Sequence, residues 1–151
     1  MGIRVTNTMG SAREEFTPGR GGRVGMYACG PTVYDYFHVG NARAFVFFDV
    51  VRRYLEHKGF RVTFVQNFTD VDDKMINRAR EMGITVPELA ERFIRAYYED
   101  ADALGIRRPD VAPRATDHVP DMQRLISTLL EAGFAYEVDG DVYFDVSRFP
   151  R

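Results

Sequence analysis

The chain has 151 residues, 45% hydrophobic and 28% charged, enough for one domain of ordinary size with a packed core or for one domain and the start of another. Twenty basic residues against twenty-two acidic ones give a net charge of −2, so bulk charge offers no case for a nucleic-acid partner, although a local patch would suffice for one. The longest apolar run, Ala44 to Val51, is too short to cross a bilayer and is broken by Asp49. No basic segment followed by an apolar one opens the chain, and the single cysteine, Cys29, has no internal disulfide partner; a reducing, cytoplasmic setting is expected.

Residues 1–23 read as a turn-rich approach containing Pro18-Gly19-Arg20-Gly21-Gly22. Val24 to Ala28 reads as a short strand that runs into the Gly30-Pro31 break. A helix is predicted from Asn41 to Lys58, with Ala42, Phe45, Val46, Asp49, Val50, Arg53 and Tyr54 at helical spacing. Phe47, Phe48 and Val51 make it apolar over much of its circumference, which predicts burial between a sheet and another element. His57 and Lys58 occupy its last turn, with Gly59 as a left-handed stop.

Arg61 to Phe68 has strand character. A helix from about Val71 to Glu81 follows, with Val71, Met75, Ile76 and Ala79 on one side and Gly83 at its end. Thr85-Val86-Pro87-Glu88 has the form of a capping box with an early proline, opening a helix that runs to about Leu104. Strand, helix and strand at this spacing form a βαβ unit, with parallel strands and a right-handed crossover. After Arg107-Arg108 the composition changes, and Pro109, Pro113 and Pro120 break a polar stretch. A helix from Asp121 to Ala132 and a hairpin, Tyr136 to Val138 and Val142 to Val146 around Asp139-Gly140-Asp141, complete the chain.

The chemistry concentrates in MYACGPTVYDYFHVGNARAF, Met26 to Phe45. It passes from a strand through a Gly-Pro turn to His38-Val39-Gly40-Asn41 at a helix start. A βαβ unit commonly binds a nucleotide where a strand's carboxyl end meets the next helix, whose unpaired N–H groups face phosphate oxygens. Gly40, lacking a Cβ, would admit a base or ribose closely, and His38 and Asn41 offer donors to a phosphoryl group that gains charge. No dinucleotide fingerprint or P-loop is present. Taken alone, His-x-Gly-Asn fits polar capping residues around a packing glycine better than it fits a nucleotide site. Three acids follow Thr69 in Thr69-Asp70-Val71-Asp72-Asp73-Lys74, a pattern that fits magnesium or a helix cap; the cap is the better reading for Asp72 and Asp73. Tyr27, Tyr34, Tyr36 and Phe37 read as core before they read as pocket walls, and Arg107 and Arg108 as solvated before they read as RNA contacts.

The Met26–Phe45 block resembles the signature region of cysteinyl-tRNA synthetases. FVQNFTDVDDKMINRA, Phe64 to Ala79, and AYEVDGDVYFDVSRFP, Ala135 to Pro150, resemble the same family in the same order. The family's His-Ile-Gly-His signature stands here as His38-Val39-Gly40-Asn41, so its last position donates only through a neutral amide. The resemblance implies a class I synthetase fold of the Rossmann-like (HUP-type) kind, α/β with an incomplete parallel sheet. Residues 1–115 would form the first half of the catalytic nucleotide-binding domain, and 116–151 the beginning of the connective-peptide insertion.

It also implies a cysteine–tRNA ligase that makes cysteinyl-adenylate from L-cysteine and ATP with magnesium, then charges tRNA(Cys), as a cytoplasmic and monomeric parent protein. Gly30, Thr32, His38, Gly40 and Asn41 would hold ATP, with His38 and Asn41 catalytic. Cys29, Gly30, Thr69 and Asp70 would hold the amino acid. Cys29 would be the first ligand of a zinc ion whose other ligands, and a second lysine-rich signature, lie beyond Arg151, so that these residues alone fall short of full aminoacylation. His57 and His118 are poor substitutes for those ligands. Two other readings remain: an ATP-dependent cysteine ligase of mycothiol synthesis, and a synthetase-like binding paralogue without catalysis.

Overall fold

A computed structural model describes residues 2–149. Its centre is the expected βαβ unit. Strand β3, Arg23–Ala28, pairs in parallel with β4, Arg61–Gln66, in a register that sets Val24 beside Val62 and Ala28 beside Gln66. Helix α1, Val39–His57, is the crossover between them; it ends at Lys58, and Gly59 takes φ 87° as the left-handed stop.

Along the far edge of β4 runs a ribbon that the prolines had disguised. Asp110 N–H donates to Phe64 O, Gln66 N–H to Val111 O and Phe68 N–H to Pro113 O, at 2.8, 3.1 and 2.9 Å. Parallel bridges join Val65 to Val111 and Phe68 to Arg114, so 110–115 serves as a third, irregular strand. Pro113 fits because its carbonyl, which accepts, faces β4. Among the described residues the opposite edge of β3 has only the Gly19–Arg23 bridge, and the sheet is open there.

Helices α2, Asp73–Met82, and α3, Val86–Ala103, pack together over the carboxyl ends of the strands. Met75 and Leu89 are fully buried among Val33, Phe45, Phe68 and Phe93. Tyr97 stands at the middle, edge-on to Phe37, Phe45 and Phe68 with centroids 5.2–5.6 Å away, and its hydroxyl donates to Gln66 Oε1 at 2.7 Å. Burial pushes the pKa of that phenol well above its ordinary value. The capping box expected at Thr85 is present: Glu88 N–H donates to Thr85 Oγ1, and Thr85 N–H to Glu88 Oε2.

Several sequence expectations change. Residues 1–23 are not only turns: β1, Arg4–Asn7, and β2, Ala12–Glu15, form an antiparallel hairpin whose exposed, polar strands carry too little apolar alternation to stand out. The second helix starts at Asp73 rather than Val71, because the Asp72 carboxylate caps it by accepting from Lys74 N–H at 2.8 Å. Val71 and Ile76 are exposed, not on the buried side with Met75 and Ala79. The wide apolar face of α1 is not covered: Phe47, Val50 and Tyr54 border an apolar cavity of about 590 Å³ between α1, β3 and the hairpin. Tyr27 and Tyr36 are also exposed rather than core.

Arg107 and Arg108 are paired rather than simply solvated, Arg107 with Glu56 at 2.5 Å and Arg108 with Asp102 at 2.8 Å. No described residue after Ile106 is buried. A 3-10 turn, Thr116–His118, leads into α4, Val119–Glu131, which starts two residues before the expected Asp121. The terminal hairpin joins β5, Ala135–Val138, to β6, Asp141–Phe144, through Asp139-Gly140 alone, with φ 53° and 89°, the conformation that a two-residue primed turn requires.

Candidate functional site

The carboxyl ends of β3 and β4 lie side by side, and their pairing continues past both strands. Thr69 N–H donates to Pro31 O and Val33 N–H to Thr69 O, each at 3.1 Å, making a parallel bridge between Thr32 and Thr69. The Cys29–Thr32 turn and the Asn67–Asp70 segment are therefore one structure, although 37 residues separate Gly30 from Asn67. Gly30 is required by contact: a Cβ there would lie 1.8 Å from Asn67 O. Cys29 is exposed beside it, its thiol 3.7 Å from Gly30 O.

Helix α1 begins at the same end of the sheet. His38 is its N-cap, with Nδ1 accepting from Gly40 N–H at 3.1 Å, while Asn41 Oδ1 accepts from His38 N–H at 3.3 Å. The plain capping reading of these residues is thus geometrically true. It does not exhaust them. An Nδ1 that accepts carries no hydrogen, so neutral His38 has its proton on Nε2, and Asn41 keeps both Nδ2 hydrogens. Both free donors stand on exposed residues at a helix amino terminus. A Cβ added at Gly40 would meet only His38 Nδ1, at an ordinary 3.5 Å, so packing within this chain does not demand glycine there. Thr32, Asp35 and Asn41 line a cleft of about 190 Å³ between the turn and the helix start.

Asp70 departs from this cluster. It is buried, and its two oxygens accept from Thr116 N–H at 3.0 Å and Thr116 Oγ1–H at 2.5 Å. It lines a different cleft of about 370 Å³ with Val86, Glu91, Arg114 and Thr116. Cys29, Gly30, Thr32 and Thr69 are brought together, His38, Gly40 and Asn41 share the adjoining helix start, and Asp70 faces elsewhere.

One residue that sequence reasoning passed over, Asn67, holds the cluster in place. Asn67 Oδ1 accepts from Gly30 N–H and from Tyr27 Oη–H, both at 2.9 Å, and its Nδ2 faces Thr69 Oγ1 at 3.4 Å. The available signal was an uncharged amide at a strand end, able to accept on one side and donate on the other. As for metal, no group of three His, Cys, Asp or Glu residues among the described residues is arranged to hold an ion. Cys29 offers one soft donor, and these residues alone do not make a zinc site.

Comparison with known proteins identifies the family and the fold. The family profile described as tRNA synthetases class I (C) catalytic domain matches residues 15–151. A cysteine–tRNA ligase of Symbiobacterium thermophilum is 59% identical over 151 residues, and one of Caldicellulosiruptor saccharolyticus 56% identical over 147; they align with 99% and 97% of this chain. The chain spans 32% of the length of each.

Among solved structures, an Agrobacterium radiobacter LeuRS in a ternary complex with tRNA and LeuAMS superposes with a TM-score of 0.67 at 19% identity, covering 80% of this chain and 16% of that one. Mycobacterium tuberculosis methionyl-tRNA synthetase bound to methionyl-adenylate gives 0.65 at 24% identity, covering 74% and 23%. At such identities these two speak for the fold alone, a Rossmann-like parallel sheet. Profile, relatives and fold agree, and the chain belongs to the class I (C) tRNA synthetase catalytic-domain family.

Proposed function

We propose that these residues supply the first half of the aminoacyl-adenylate site of a cysteine–tRNA ligase, which activates L-cysteine with ATP and transfers it to tRNA(Cys) in the cytoplasm. The observation that carries this reading is the double use of His38: its Nδ1 caps α1, which leaves an Nε2–H donor at the helix start beside a glycine that packing does not require. ATP, with its magnesium, lies over Gly40 and the cleft of Thr32 and Asn41, its phosphates toward His38 and the first-turn N–H groups. Cysteine lies at the strand ends, against Cys29, Gly30 and Thr69. Its carboxylate attacks the α-phosphorus and pyrophosphate leaves; no protein nucleophile is needed, so orientation and charge stabilisation do the catalysis.

Cys29 is assigned as one ligand of a zinc ion, the others coming from outside the described residues; zinc, when bound, would distinguish the substrate thiol from a serine hydroxyl. Asp70 serves the amino acid from the second layer at most, because Thr116 holds both its oxygens. Residues 1–115 act as the catalytic half-domain and 116–151 as the start of an insertion. The absence of any buried residue after Ile106 in the described chain supports that division.

Two variants of His38 in the full-length protein test the site. His38→Asn keeps a good N-cap and removes the ring donor, whereas His38→Ala removes both. Adenylate formation, followed in the pre-steady state with saturating cysteine and normalised to folded sites, should fall about a hundredfold in both, the usual effect of losing such a donor. Only His38→Ala should also melt earlier. A normal chemical rate in His38→Asn would reduce His38 to a cap and overturn its catalytic role.

A further inference from the structure

On the cysteine-activating reading of this site, we propose that Asn67 is a positioning residue for amino-acid recognition, fixing the Cys29–Gly30 turn and the direction of the Thr69 hydroxyl through one side-chain amide. The assignment of its two ends follows from its neighbours. Gly30 N–H can only donate, so the atom 2.9 Å from it is Oδ1, and that oxygen also takes the Tyr27 hydroxyl hydrogen at 2.9 Å. The NH₂ end is therefore turned to Thr69 Oγ1, at 3.4 Å.

Two consequences follow. The turn bearing Cys29 is clamped to the segment that follows β4 by a bond from its own Gly30 amide, over a contact so close that only glycine fits. Meanwhile Thr69 Oγ1 accepts from Asn67, which leaves its own hydrogen free to donate to an oxygen of the bound amino acid. Tyr27 matters to this arrangement although the residue is 63% exposed: its hydroxyl occupies the second lone pair of Asn67 Oδ1 and stops the amide from turning over.

Asn67→Asp separates positioning from mere support. The carboxylate still accepts from Gly30 N–H and Tyr27 Oη–H, so the turn keeps its clamp, but it takes the Thr69 hydrogen instead of supplying one. In the full-length protein, cysteine-dependent ATP–pyrophosphate exchange should show KM for cysteine raised about tenfold, the worth of one hydrogen bond of about 1.4 kcal/mol, with kcat changed less than about threefold. In a Thr69→Val background the same substitution should add nothing, because the hydroxyl it misdirects is gone. Asn67→Ala should in addition speed hydrogen exchange at the Gly30 amide, which Asn67→Asp leaves protected.

A KM for cysteine unchanged by Asn67→Asp, or raised equally with and without the Thr69 hydroxyl, overturns the steering of Thr69. Gly30 protection that survives Asn67→Ala overturns the clamp. Absence of cysteine-dependent exchange in the unaltered protein would instead remove the cysteine-activating reading and the recognition role that depends on it, while the Gly30 measurement still decides the clamp.

Discussion

Arg52 Nη2 lies 2.8 Å from Asp110 Oδ1, joining the middle of α1 to the start of the ribbon beside β4. The same guanidinium donates to Arg108 O at 2.8 Å and to Glu56 at 3.2 Å, and the other Asp110 oxygen accepts from Phe64 N–H at 2.7 Å. Arg52 is buried and makes its hydrogen bonds to these acceptors, so the irregular third strand is held by a side chain as much as by its backbone. Asp110→Ala should destabilise the protein by about 1–3 kcal/mol, because it leaves the Phe64 amide without its acceptor and takes one of two carboxylates from a buried guanidinium. Arg52→Met, which removes the charge and keeps much of the volume, should cost clearly less. Urea unfolding of both variants checks the order.

Acid should weaken the same region. The hydrogen bond from Arg107 is the largest influence on Glu56 and holds its pKa below the ordinary 4.5, with Arg52 adding to it. A carboxylate lowered in the folded state contributes stability that is complete above its unfolded value and is lost as pH falls through the native value. Thermal midpoints measured from pH 7 downward should therefore hold until about pH 4.5 and then decline, with a shallower decline in Glu56→Gln.

Two glycines should respond in opposite ways to alanine. At Gly30 the new Cβ meets backbone at 1.8 Å, so the turn must move, and stability should fall by at least about 1–3 kcal/mol. At Gly40 the nearest atom is 3.5 Å away and the residue is helical, so Gly40→Ala should leave stability unchanged or raise it by up to about 1 kcal/mol. If a nucleotide lies over Gly40, the same variant should nevertheless lose ATP affinity. Thermal melts paired with ATP titration in the full-length protein would separate the two effects.

Tyr97→Phe isolates one buried bond. The ring packing with Phe45 and Phe68 survives, while Gln66 Oε1 loses its partner at 2.7 Å. A loss of about 1–3 kcal/mol in denaturant unfolding is expected, the cost of a buried acceptor left unsatisfied.

The sequence by itself determined the local features of this protein. The βαβ order, the Thr85 capping box, the Gly59 and Gly83 stops and the Asp139-Gly140 turn each depend on backbone preferences and hydrogen bonds within a few residues, which pattern and residue type express directly. The candidate positions Cys29, Gly30, Thr32, His38, Gly40, Asn41 and Thr69 were legible because they sit where strands end and a helix begins, and because long motifs of a known family contain them. Tertiary structure alone decided what those positions meet. That Asp70 turns to Thr116, that Asn67 reaches back to Gly30 and Tyr27, and that Arg52 holds Asp110 are matters of contacts across 37 to 58 residues of chain. No local spacing encodes these partners, because they are set only when two parallel strands align in register and bring their ends to the same place.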